Sequence, residues 1–250
     1  MMIIDAHCHY FETEGGLDFV KGASFEEHVQ DMESANIDKF ILFTLNGLFG
    51  DYRRANDNLA VIASRYPDMV IPFGTFNPWY GQDALDEIDR CMNVLGFRGF
   101  KLHPWMTGFP INSEMLNPFL EKIMSYDVPV LIHSGTPPWS EPLQIGEVAR
   151  RFPELRIVMA HMGIIDLWKE AIDAAKSNKN IWLETSGVPG SAIKIAVEEV
   201  GPERIVFGSD SPYGGQGGHL FQMNKIRFLD LGTTATELIL GGNIQRILGI

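Results

Sequence analysis

The sequence predicts an α/β protein, a (β/α)8 TIM barrel that forms a single domain over residues 1–250. Short apolar runs rich in β-branched residues recur eight times along the chain, and a segment with helical spacing follows each run. This alternation is typical of parallel strands joined by helices, and eight such units are enough to close a barrel. The alternative is an open doubly wound sheet, which would carry a Gly-rich phosphate loop after its first strand. This chain has DAHCHYF there.

The predicted strands appear at regular intervals from the first residues onward. They are MIIDAH (2–7), KFILFT (39–44), VIPFGTF (70–76), FRGFKL (97–102), PVLIH (129–133), RIVMAH (156–161), NIWLETS (180–186) and RIVFGSD (204–210). The helical segments between them end at residues that stop helices, such as Pro67 and Gly96. The long segment after the first strand, YFETEGGLDFVKGAS, is punctuated by glycines and is expected to act as a lid.

Composition and charge restrict the classes of function. The chain is 45% hydrophobic and 21% charged, and its net charge of −12 argues against a nucleic acid or an anionic membrane as partner. Only Cys8 and Cys91 occur, so the chain is not a disulfide scaffold. No signal-like leader or membrane-spanning run is present in the sequence, and we expect a cytoplasmic protein.

Histidines gather where barrel enzymes place their chemistry. His7 and His9 share one face of the first strand because side chains alternate with period two, whereas Cys8 points to the opposite face as a packing residue. Barrel active sites lie at the carboxyl ends of the strands. The polar residues expected at those ends include His7, His9, Lys101, His103, His133, His161, Glu184, Ser186 and Asp210. Imidazoles with a carboxylate are typical ligands of Zn²⁺ and related divalent ions.

The motifs D-A-H-C-H, L-I-H-S, M-A-H-M-G and F-G-S-D-S-P, at strands 1, 5, 6 and 8, resemble those of the amidohydrolase superfamily. The order and the chain length are most similar to the amidohydrolase-related branch of small metal-dependent hydrolases and decarboxylases. The resemblance implies a metal held by His7, His9, His133 and Asp210, with His161 catalytic. We expect one Zn²⁺ per chain, and Mn²⁺ or another divalent ion would fit the same ligands.

Several reactions follow from these residues. The first expectation is a hydrolase of a small amide, ester or lactone, in which a metal-activated water attacks, Asp210 accepts a proton and His161 stabilises the oxyanion. The alternative is a decarboxylase of a small aromatic or unsaturated carboxylic acid. A third hypothesis is a phosphoesterase like the TatD deoxyribonucleases, which carry a metal-bridging glutamate on strand 4 where this chain has Lys101 or His103. A barrel that has lost its metal and only binds a partner is the non-enzyme alternative.

Lys101 and His103 have the same parity on strand 4, so both are expected to face the barrel interior and to bind the substrate. The lysine suits a carboxylate-bearing small molecule. It could instead be carboxylated and bridge a second metal, as in two-metal members of the superfamily, or pair with Glu184. Aromatic loops after strands 3, 4 and 5 could wall the pocket, cap the barrel or form a homodimer contact. Their residues are Trp79, Tyr80, Trp105, Met106, Phe109 and Trp139.

Overall fold

The computed structural model describes residues 1–11, 25–215 and 217–250, so the predicted lid falls almost entirely outside the described residues. Eight parallel strands alternate with helices in this part of the chain, and the barrel prediction is confirmed. The strands are β1 (Ile4–Tyr10), β2 (Lys39–Thr44), β3 (Val70–Pro72), β4 (Phe100–Leu102), β5 (Val130–His133), β6 (Ile157–Ala160), β7 (Ile181–Glu184) and β8 (Ile205–Val206). Several are shorter than their apolar runs because backbone pairing ends before the hydrophobic pattern does.

Helices follow the strands. They are α1 (Phe25–Ser34), α2 (Asn46–Phe49), α3 (Tyr52–Arg65), α4 (Gln82–Asn93), α5 (Pro104–Thr107), α6 (Asn117–Ser125), α7 (Pro142–Arg151), α8 (Trp168–Ser177), α9 (Gly190–Val200), α10 (Gly218–Arg227), α11 (Thr233–Glu237) and α12 (Asn243–Leu248). Side chains cap some of them: Asp51 accepts a hydrogen bond from the amide of Arg54 at the start of α3. None of the described helices is long and apolar enough to cross a bilayer.

Two seams close the barrel. The strands form a sheet β1-β2-β3 and a sheet β4-β5-β6-β7-β8. The first seam is a bridge between Gly74 and Phe100, where a Cβ on Gly74 would come within 2.9 Å of the Phe100 ring. The second seam joins Cys8 to Ser211, and there the amide of His9 donates to the Ser211 carbonyl at 2.7 Å. Glycine is therefore required at the first seam, and the second carries residues of the predicted site.

Two hydrophobic clusters form the core. The inner apolar cluster fills the barrel and is covered by residues of α12; its members are Ile4, Ala6, Ile41, Phe43, Ile71, Phe73, Leu131, Val158, Ala160, Val206, Ile244, Ile247 and Leu248. The outer cluster packs the strands against the surrounding helices and includes Cys8, which lies on the face predicted for it. These clusters hold the strands in position around the polar residues above them.

A β-bulge in β1 aims the first histidine inward. Asp5 pairs with Phe40 of β2 and Cys8 pairs with Leu42, so β1 has one residue more than its partner between these two points. The extra residue breaks the strict alternation of side chains. As a result Ala6 belongs to the inner apolar cluster while the next residue, His7, also faces the interior, where it approaches Lys101.

Candidate active site

The carboxyl ends of the strands bring together the two histidines of β1 and the aspartate that follows β8. His9 Nε2 lies 2.8 Å and His7 Nε2 3.2 Å from Asp210 Oδ1. Both histidines are buried, whereas the Asp210 side chain is 27% exposed. Three ligand-type atoms therefore converge on one point next to open space.

The four predicted metal ligands lie close together, but the most compact group of ligand atoms includes His161 in place of His9 and His133. Ligand atoms of His7, His161 and Asp210 all lie within 4.8 Å of one another. His9 joins this group through Asp210. The ring centroid of His133 is 4.7 Å from that of His161, and its buried Nε2 has no hydrogen-bond partner among the described residues. His161, expected to be catalytic, thus lies in the tightest group, and His133 lies beside it.

The strand-4 residues both face the interior, as their parity predicts. Lys101 is fully buried, with its Nζ 3.1 Å from His7 Nε2 and 4.6 Å from the centroid of the Phe43 ring. Burial lowers the pKa of this lysine to about 7. His103 stacks on His133 with ring centroids 4.0 Å apart. No direct ion pair joins Lys101 to Glu184 in the part of the chain that the structure describes.

Glu184 and Ser186, at the end of β7, take part in the site in a way that sequence reasoning missed. One carboxylate oxygen, Glu184 Oε2, lies 2.9 Å from His7 Nδ1 and accepts from the amide of His161 at 2.9 Å and from Ser186 Oγ at 2.8 Å. Ser186 Oγ also lies 2.9 Å from His161 Nδ1. Burial raises the pKa of Glu184 to about 7, against the hydrogen bonds that favour its charge. The available signal was an acidic residue at a strand end, in LETSG.

The imidazoles are in the state that metal binding requires. Burial lowers the pKa of His161 to about 4, and it lowers the pKa values of His7 and His133 well below the ordinary range. Burial alone would raise the pKa of Asp210, but electrostatic interaction with His161, His9 and Lys101 and the hydrogen bond to His9 lower it. Neutral imidazoles beside an ionised carboxylate therefore face the site near neutral pH.

The two residues expected to be catalytic, His161 and Asp210, have unusual backbone conformations. His161 has φ 61° and Asp210 has φ 60°, in the left-handed region that residues other than glycine seldom adopt. Each such residue costs about 1–3 kcal/mol and persists only where the surroundings hold it. The amide of His161 is held by Glu184, and the amide of Asp210 donates to the His7 carbonyl at 2.9 Å.

A cavity of about 280 Å³ opens above this cluster. Its lining residues are His9, Leu45, His103, Trp105, Met106, His133, His161, Asp210 and Tyr213. The predicted aromatic loops thus contribute Trp105 and Met106 to its wall, whereas Phe109 is buried in the core and Trp79 is 62% exposed. A larger hollow of about 460 Å³ lies beside α3 and β3, and no histidine lines it. Size alone therefore does not identify the site.

Comparison with characterised proteins gives distant relatives. The chain is 26% identical over 66% of its length to 2-keto-4-carboxy-3-hexenedioate hydratase of Sphingobium sp., of which it covers 60%. It is 22% identical over 89% of its length to 2-amino-3-carboxymuconate-6-semialdehyde decarboxylase of Dictyostelium discoideum, of which it covers 76%. It is 25% identical over 64% of its length to gamma-resorcylate decarboxylase of Polaromonas sp., of which it covers 65%. The chain thus spans less than two thirds of two of these relatives.

Solved structures share the fold across the whole chain. The 5-carboxyvanillate decarboxylase of Sphingomonas paucimobilis superposes with a TM-score of 0.79 at 20% identity, covering 100% of this chain and 99% of that one. A dihydroxybenzoic acid decarboxylase of Polaromonas sp., with bound manganese and 2-nitroresorcinol, gives a TM-score of 0.76 at 20% identity and covers 99% and 97%. These likenesses establish the barrel architecture.

The relatives correct the expected reaction. The first expectation, a hydrolase of a small amide, ester or lactone, is wrong, because these relatives are decarboxylases and a hydratase; they favour the decarboxylase alternative. The motifs could not separate the two reactions because the same imidazoles and carboxylate are expected for both. The profile of the family described as Amidohydrolase matches residues 4–250, nearly the whole chain. The resemblance inferred from the strand-end motifs is therefore confirmed, and this chain belongs to the amidohydrolase family.

Proposed function

We propose that this protein is a metal-dependent decarboxylase of a small carboxylic acid whose carboxylate is attached to an aromatic or unsaturated carbon. The observation that carries the proposal is the mixed lining of the cavity. His9, His161 and Asp210 supply polar atoms, and Leu45 and Met106 supply apolar surface. An apolar surface suits a ring or a conjugated chain, and the polar atoms suit its carboxylate. The decarboxylases among the relatives support this choice.

The donor set fits a divalent ion. Asp210 Oδ1 lies 2.8 Å from His9 Nε2 and 3.2 Å from His7 Nε2, which is the spacing of neighbouring ligands on one ion. The buried Nε2 of His133 lacks a hydrogen-bond partner among the described residues. We propose His7, His9, His133 and Asp210 as the ligands. A bound divalent ion supplies Lewis-acid polarisation of a substrate oxygen. Zn²⁺ fits these ligands, and manganese in the Polaromonas decarboxylase makes Mn²⁺ an equal candidate.

The chain's own residues account for the rest of the reaction. Decarboxylation breaks the bond between the carboxylate and its carbon, releases CO2 and adds one proton to that carbon. His161 and Asp210 line the cavity, and we assign them to accept a proton from water and pass it on to this carbon. His103 lines the cavity and contacts the substrate in this proposal. Lys101 is fully buried beside His7 and outside the cavity lining, so it attracts the substrate carboxylate through its charge and not through direct contact.

Hydration of an unsaturated acid is the second candidate, favoured by the 26% identity to the hydratase. Hydration adds water across a carbon–carbon double bond and releases no CO2. It would use the same apolar wall and the same proton-holding residues. The two candidates therefore differ in their products and not in the residues required.

The test is a product analysis in D2O with metal-free protein reloaded with Zn²⁺ or Mn²⁺. The substrates to be tested are hydroxybenzoates and unsaturated dicarboxylic acids. Release of CO2 is measured, and NMR identifies the products. A decarboxylase puts deuterium on the carbon that lost CO2, and His161→Asn slows this reaction. His219→Gln, a buried histidine of α10 outside the cavity lining, is the matched control. Loss of the double bond without CO2 would identify a hydratase, and no turnover of either class would contradict both proposals.

A further inference from the structure

We propose that Glu184 and Ser186 are positioning residues that fix which ring nitrogen of His7 and of His161 carries the proton. The inference rests on the proposed function only in assigning a metal to His7 and a proton-transfer role to His161. Neither Glu184 nor Ser186 lines the cavity, and both are fully buried. They therefore act through the two histidines and not on the substrate.

The protons follow from a count of donors and acceptors. The backbone amides of His161 and Ser186 can only donate, and both donate to Glu184, at 2.9 and 2.5 Å. When Glu184 is ionised, its carboxylate accepts in all four contacts, so Ser186 Oγ–H donates to it at 2.8 Å and His7 Nδ1–H donates at 2.9 Å. The serine hydroxyl has then used its only hydrogen, so at 2.9 Å it accepts from His161 Nδ1–H.

This pattern leaves Nε2 unprotonated in both rings. His7 Nε2 lies beside Asp210 Oδ1 at 3.2 Å, where the metal is proposed to bind, and a metal ligand needs a lone pair at that position. His161 lines the cavity and presents its other nitrogen, Nε2, away from Ser186. One buried carboxylate therefore orients the metal-ligand nitrogen and the proton-transfer nitrogen together.

The surrounding backbone is shaped to receive this carboxylate. A Cβ built on Gly208 would meet Glu184 Oε1 at 2.3 Å and the Cβ of His7 at 2.8 Å, so any larger residue would displace the carboxylate or the ring. The left-handed conformation of His161, φ 61°, also aims its amide at the same carboxylate. The Glu184 carboxylate at the end of β7 is therefore in contact with His7 of β1 and with His161, which follows β6.

The experiment is ¹⁵N NMR of histidine-labelled protein, metal-free and loaded with diamagnetic Zn²⁺, with His161→Asn and His7→Asn used to assign the signals. The wild type should show both rings protonated at Nδ1. Ser186→Ala should move the His161 proton towards Nε2, and Ser186→Thr should restore the pattern. Thr185→Val is the matched control because it removes an adjacent buried hydroxyl that has no partner among the described residues.

Glu184→Gln supplies a second measurement. We expect it to weaken Zn²⁺ binding about 10- to 100-fold, with thermal unfolding checked in parallel. Ser186→Ala should lower kcat with little change in KM and leave Zn²⁺ affinity near the wild-type value. A wild-type spectrum with His161 protonated at Nε2, or equal spectra for Ser186→Ala and wild type, would overturn the inference. The NMR spectra and the Zn²⁺ affinity need no substrate, so failure of the proposed decarboxylation would remove only the kcat readout and leave these two results standing.

Discussion

The barrel interior is filled by two neighbouring groups of opposite character. The inner apolar cluster contains side chains such as Ile71 and Leu131, whereas the site cluster consists of His7, His9, Lys101, His103, His133, His161, Glu184 and Asp210. The border is narrow: Lys101 pairs in register with Leu131. Burial stabilises the first group and destabilises every charged form in the second. This fold therefore keeps the residues that stabilise it apart from the residues of the candidate site.

The largest effect should come from the site cluster. We expect His161→Asn to lower kcat about 10²- to 10⁴-fold while the metal is retained, because it removes a proton carrier and no proposed ligand. Asp210→Asn should lose both the metal and the activity. Plasma mass spectrometry and steady-state kinetics check both variants. Loss of metal in His161→Asn would make His161 a ligand, and two ions per chain would support a carboxylated Lys101.

A substitution in the inner apolar cluster should lower stability and leave metal binding and catalysis nearly unchanged. Phe73 is 1% exposed, and we expect Phe73→Ala to lower the free energy of unfolding by about 3–5 kcal/mol. Metal content and the kcat of the folded fraction should stay near wild type. Urea unfolding followed by circular dichroism measures the change, and Phe73→Leu is the milder control. A large loss of metal in Phe73→Ala at a temperature where it is folded would show that the two groups are not separable.

At the border, function and stability should oppose each other. Lys101 is buried and its charge has no ion-pair partner within the described ranges, so Lys101→Met should raise the free energy of unfolding of the metal-free protein by about 1–4 kcal/mol. The same change should abolish turnover of a carboxylate substrate. Lys179→Met, an exposed lysine, should stay within about 0.5 kcal/mol of wild type. A destabilised Lys101→Met would mean that the lysine is part of a stabilising network.

The smallest effect concerns a histidine outside the barrel. His28, in α1, stacks with Phe25 and has a pKa that burial lowers to about 4. The unfolded chain binds a proton near pH 6.5 and the folded chain only near 4, so stability falls as the pH drops between these values, by about 1 kcal/mol per pH unit. His28→Phe should reduce that slope in urea unfolding of metal-free protein at pH 7 and pH 5. An unchanged slope would place the acid sensitivity in the site cluster alone.

The sequence predicted the barrel because period and alternation are local properties of a chain. It also placed His7, His9, His133, His161 and Asp210 at strand ends, since parallel strands bring such ends to one face. Their roles as ligands or as proton carriers remain predictions, as do the single domain and the homodimer.

The rest depended on contacts that no local pattern encodes. The hydrogen bond between His7 and Glu184 joins residues that are 177 positions apart in sequence. The wall of the cavity is likewise built from several separate loops. The β1 bulge is defined only by its pairing with β2. The expected hydrolase reaction is wrong for a related reason: the strand-end motifs report the polar residues of the site and carry no information about the substrate.

The two seams give the barrel a mechanical character. Its wall consists of two sheets, one of three strands and one of five, and among the described residues each seam is an isolated bridge flanked by a few backbone hydrogen bonds. His7 and His9 stand on the smaller sheet, whereas His133 stands on the larger and Asp210 follows its last strand. A metal ion bound by these four side chains would link the two sheets. Metal binding would then stabilise the barrel against opening at the seam, so the protein would be most stable in its metal-loaded, reactive form.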